Sequence, residues 1–143
     1  MKKLFLTLLV LSSILFAELS KKGGIVTDSI TKLQWQDDAV GEKLIWKAAI
    51  AQCEALDLGG YADWRLPNIK ELSSIIDDTR HTPAVTLVFQ NTATDDYYWS
   101  STTDAGNTSY VFGVEFNYGE LERAWTQQYR GTGNYVRCVR ARE

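Results

Sequence analysis

Apolar residues return at steps of three and four from Trp46 through Ala49, Ile50, Cys53 and Leu56. That spacing puts one apolar stripe on a helix that opens near Ile45 and stops at Gly59-Gly60, with Cys53 facing inward. Asn68 then stands in a capping position with Glu71 three residues on, which predicts a second, shorter helix from Ile69 to about Asp77. Its buried side is Ile69, Leu72, Ile75 and Ile76. Ahead of both helices, Ile25-Val26-Thr27 and Lys32 to Gln36 read as two short strands joined by turn chemistry at Asp28 and Ser29. Residues 78–96 are polar and turn-rich, a long loop pinned by Val85, Leu87, Val88 and Phe89.

Beyond that loop the period changes to two. Tyr97 to Ser101 forms one strand, and Tyr110, Phe112, Val114 and Phe116 alternate with Val111, Gly113 and Glu115 on another, joined through Asp104 to Asn107. Asn117-Tyr118-Gly119 turns the chain into Glu120 to Trp125, and Val136 to Arg140 supplies a final strand. Two helices packed on a twisted antiparallel sheet make the fold class α+β.

The N-terminus follows a different logic. Met1-Lys2-Lys3 precedes an uncharged run from Leu4 to Ala17, the pattern of a secretory signal, with cleavage expected after Ala17. The run is shorter than the roughly 20 residues of a spanning helix, which disfavours an uncleaved anchor. No Cys follows it to carry a lipid. The expected organisation is a signal peptide, 1–17, and one domain, 18–143, free in the periplasm or outside the cell.

Composition narrows the function classes. The chain has 143 residues, 45% hydrophobic and 23% charged, with five Trp, seven Tyr and five Phe to place in one core. Loss of Lys2 and Lys3 with the leader takes the net charge from -3 to -5. Such a balance argues against nucleic-acid binding, which needs many phosphate-neutralising cations. A single His and two separated Cys cannot supply a zinc site, and the loop carboxylates at Asp37-Asp38, Asp77-Asp78, Asp95-Asp96 and Asp104 lack EF-hand spacing. No metal or other cofactor is expected. In an oxidising compartment the first expectation for Cys53 and Cys138 is a disulfide; the alternative, a free nucleophile, has only His81 as a base.

Five strings now stand in order: Val26-Thr27-Asp28 with Leu33-Gln34-Trp35; Trp46 and Ala49 ahead of Cys53; Asp63-Trp64-Arg65-Leu66-Pro67 with Glu71-Leu72; Tyr98-Trp99-Ser100-Ser101-Thr102; and Val136-Arg137-Cys138-Val139-Arg140. Together they resemble the family of domains of unknown function typified by the C-terminal domain of the Legionella collagen-like adhesin, over about residues 24–141. The resemblance implies a C-type-lectin-like fold in which a helix cysteine pairs with one on the last long strand, as Cys53 and Cys138 would. It implies adhesion or recognition of glycans and other surface ligands. This chain lacks a collagen-like stalk, is acidic, and has neither the E-P-N or Q-P-D nor the W-N-D strings of calcium-dependent lectins.

Candidate sites follow from residue types. Asp63, Trp64, Arg65 and Pro67, with Trp99 and Ser100, read as structural: an Asp and an Arg before a helix lock a loop through hydrogen bonds and an ion pair. Tyr118, Arg123, Trp125, Tyr129 and Arg130 fall between strands, where no periodicity draws them into the core, and are the expected ligand contacts. Trp125 is equally suited to packing beneath its own loop. The expected role is a non-enzymatic binding module for a glycan or an envelope or surface protein. The alternatives are an assembly subunit of an envelope complex, or a hydrolase or oxidoreductase built on His81 or on Asp95 with Asp96.

Overall fold

The computed structural model describes residues 18–126 and 133–142, apart from the Trp125 side chain. The expected signal peptide, Tyr129 and Arg130 lie outside the described residues. Strands β1 (Leu19–Lys22), β2 (Ile25–Asp28) and β3 (Leu33–Gln36) come first, then helices α1 (Trp46–Glu54) and α2 (Ile69–Ser73). Strands β4 (Tyr97–Asp104), β5 (Asn107–Glu115), β6 (Glu120–Trp125) and β7 (Val139–Ala141) complete the order. The fold is α+β, but its strands form two antiparallel sheets where one was expected. One sheet runs β1-β2-β3-β7 and the other β4-β5-β6.

The second sheet departs from a single meander because β7 pairs with β3, in the register Leu33 to Ala141, Gln34 to Arg140 and Trp35 to Val139. The segment leading to β7 touches both sheets. Tyr135 donates to Tyr97 O at 2.8 Å and accepts from Trp99 N at 2.9 Å, and Gln36 N donates to Cys138 O at 2.9 Å. Regular pairing therefore starts at Val139, three residues later than the alternation suggests.

Asp28 makes the β2–β3 turn as its sequence promises, its carboxylate accepting from Ile30 N and Thr31 N. Asn68 and Glu71 form the full capping box of α2. That helix ends at Ser73 instead of Asp77, since the Ser73 and Ser74 hydroxyls turn back to Lys70 O and Glu71 O. Ile75 and Ile76 continue inward as a turn, Ile76 bridging to Val85. The long loop is anchored by Ala84, Val85 and Phe89, whereas Leu87 is 75% exposed. Asn117-Tyr118-Gly119 turns β5 into β6, with Gly119 at φ +81 where a side chain would be strained and would meet Ile76.

Two apolar clusters fill the space between these elements. Val26, Trp35, Leu72, Phe89, Tyr98, Val114, Phe116 and Val139 form one, beneath the four-stranded sheet. The other gathers Ile25, Ala49, Cys53, Trp64, Leu66, Trp99, Val111 and Cys138. Cys53 and Cys138 are joined in a disulfide inside the second cluster, so α1 is tied to the entry of β7.

Candidate functional site

The strings singled out in the sequence hold the loops. Asp63 accepts from Arg140 Nε at 2.6 Å and Nη2 at 3.1 Å. Those bonds hold its carboxyl below the ordinary 3.8. Trp64 is buried and its Nε1 donates to Tyr61 O. Arg65 grips Glu71 with both terminal nitrogens, at 2.8 and 2.7 Å. Pro67 O accepts from Ser101 N, Trp99 Nε1 donates to Leu44 O at 2.7 Å, and the buried Ser100 hydroxyl donates to Phe112 O at 2.6 Å.

Of the expected contact residues, Tyr118 and Arg123 have described side chains, whereas the Trp125 side chain, Tyr129 and Arg130 lie outside the described residues. Tyr118 is 67% exposed at the β5–β6 turn. Arg123 lies farther along β6, ion-paired to Asp104 and set over the Tyr110 ring. The candidate catalytic groups are dispersed. Among the described residues exposed His81 approaches only the Thr82 hydroxyl, at 3.5 Å. Lys43 bridges Asp95 and Asp96 at 3.0 and 3.1 Å, and its hydrogen bond holds the Asp95 carboxyl below 3.8. Among the described residues no three His, Cys, Asp or Glu side chains gather as a metal site.

A cleft of about 360 Å³ opens instead on the outer face of the four-stranded sheet, lined by Ser20, Lys22, Ile25, Thr27, Gln34 and Tyr61 together with Gly23 and Gly59. Its floor is a consequence of register. Ser20 pairs with Thr27, Thr27 with Gln34 and Gln34 with Arg140, so four polar side chains form one row across β1, β2, β3 and β7. Tyr61 makes the wall, its ring 3.7 Å from the Arg140 guanidinium carbon and 41% of its surface exposed. Gly59 lets the loop come this close: a Cβ there would stand 2.5 Å from Ile25 Cδ1. Sequence reading missed Ser20, Thr27 and Gln34 because they are polar residues on short strands, and Tyr61 because it lies in a loop. The alternation of Thr27 and Gln34 with Val26 and Trp35 was the available signal.

The model of the Lcl C-terminal domain family matches residues 24–140. The chain belongs to that family. No curated protein and no solved structure matches it. The strings that carried the resemblance are thus the scaffold of an Lcl C-terminal domain, and the cleft lies within the matched span except for Ser20, Lys22 and Gly23 at the sheet edge.

Proposed function

We propose that this chain is an exported, non-catalytic recognition module of the adhesin type whose ligand is a glycan. Membership in the Lcl C-terminal domain family and the internal disulfide support an extracellular or envelope location. The cleft is the observation that carries the ligand reading. It combines an aromatic wall with hydroxyl and amide groups on a rigid sheet, the mixture that matches the apolar faces and hydroxyl rims of sugars. The helix-to-last-strand disulfide supports the proposed kinship with the C-type-lectin-like fold. A glycan array probed with wild type, Tyr61→Ala and Trp125→Ala tests the site. Binding is expected to vanish in Tyr61→Ala and persist in Trp125→Ala, and the reverse would move the site to the late hairpin.

A second reading, recognition of an envelope or surface protein, has its own support. Tyr118 and Leu121 are 67% and 53% exposed on the β5–β6 hairpin. Capture of one defined envelope protein, lost in a Tyr118→Ala, Leu121→Ala double variant, would favour it over the glycan.

A further inference from the structure

We infer that the cleft takes an acidic sugar, a residue bearing a carboxylate beside its ring hydroxyls, because a relay running from Asp63 to Thr27 makes the cleft a hydrogen-bond donor. The inference rests on the glycan reading above.

The relay starts at the carboxylate of Asp63, which can only accept, and Arg140 gives it two N–H bonds. Arg140 has no acceptor atom, so the group it meets on Gln34 is the carbonyl Oε1. The Gln34 amide nitrogen is thereby turned toward β2, where it donates to Thr27 Oγ1 at 3.1 Å. Thr27 receives a proton from one side and keeps its own O–H for the cleft. Among the described residues that O–H meets no protein acceptor. One N–H of Gln34, the Ser20 hydroxyl and the Lys22 ammonium are in the same position. Among the described residues no carboxylate lines the cleft, although the protein is acidic. One cation and several aligned donors complement a single carboxylate with neighbouring hydroxyl oxygens. A dense polyanion is poorly matched, since only Lys22 among the lining residues is charged.

Gln34→Glu is the decisive variant, because it preserves shape and strengthens the contact with Arg140 while placing an acceptor toward Thr27. The Thr27 O–H then turns inward, and the cleft gains a negative charge in place of a donor. The probes are methyl α-galacturonide, which carries one carboxylate, and its neutral counterpart, methyl α-galactoside, measured by calorimetry with far-UV circular dichroism and melting as fold controls. Wild type is expected to prefer methyl α-galacturonide by about tenfold or more. Gln34→Glu and Lys22→Gln should abolish that preference, and Thr27→Ser should retain it. Equal affinity for the two sugars, or a preference that survives Gln34→Glu, overturns the acidic-sugar inference. If methyl α-galactoside still binds and Tyr61→Ala abolishes that binding, the glycan reading stands without it.

Discussion

Arg137 shows how a single residue both costs and organises. Its guanidinium is buried among the rings of Phe89, Tyr98 and Phe116, at 4.8, 5.3 and 5.9 Å. Burial lowers its pKa from the ordinary guanidinium value. Nη2 binds Asp37 at 3.2 Å, Asn91 O at 2.5 Å and the Thr92 hydroxyl at 3.0 Å. Asp37 in turn accepts from Lys21 at 2.6 Å and from the backbone of Gln90 and Asn91. The cluster pins β1 and the long loop to the core. Arg137→Met leaves Asn91 O and the Thr92 hydroxyl without their guanidinium donor and Asp37 with Lys21 as its remaining cation, so it should lose about 3 to 5 kcal/mol in urea unfolding. Adding Asp37→Asn should cost less than it does in wild type, because its contact with Arg137 is already gone, while the loss of an acceptor for one of the two backbone donors, Gln90 N on Oδ2 and Asn91 N on Oδ1, is the same in both backgrounds. Additive losses would show that the two residues act separately. Alternation placed Arg137 next to Cys138, but nothing in the sequence distinguishes a buried arginine from a solvated one. Its partners come from residues 37, 91 and 92, brought near by topology alone.

Among the elements, legibility follows the number of apolar positions each one carries. The stripe on α1 was readable because several apolar residues repeat at helical spacing, and Ala49 and Cys53 are fully buried. β1 was not, since Leu-Ser-Lys-Lys has one apolar residue and resembles a linker after a leader. It is a strand because its backbone pairs with β2 from Leu19–Asp28 to Lys22–Ile25. The capping box of α2 was legible from two residues, and it carries a prediction. Asn68→Ala should cost about 1 kcal/mol in a denaturant melt. Burial on its own would raise the Glu71 carboxyl, but hydrogen bonds from Arg65 and the Asn68 backbone outweigh it and leave it below 4.5. A carboxyl depressed by folding stabilises the native state above its unfolded value, and that contribution disappears as pH falls through the folded value. The melting-temperature advantage of wild type over Glu71→Gln is therefore expected at neutral pH and should shrink below about pH 4.5. An advantage constant down to pH 3 would remove the ionised carboxylate from the account.

For the whole molecule, the β2–β3, β4–β5 and β5–β6 hairpins were legible and the division into two sheets was not, because hairpins are local and the β3–β7 pairing joins distant residues. The disulfide belongs to this scale. It spans 85 residues of sequence and connects α1 to the segment that feeds β7. A loop of that length restricts the unfolded chain by about 4 to 5 kcal/mol in the entropy model, an upper figure. The bond does not, however, set the cleft. Arg140 is held by Asp63, by Gln34 and by the β3 ladder, none of which involves sulfur. The Cys53→Ala, Cys138→Ala variant should thus lose about 2 to 5 kcal/mol of stability yet bind the proposed glycan ligand within about twofold of wild type well below its melting temperature. Paired urea melts and calorimetric titrations check both halves. An unchanged melt would show that the bond adds nothing to this fold. Lost binding in a variant that remains folded would mean that the α1 tether, and not the polar row, positions the cleft.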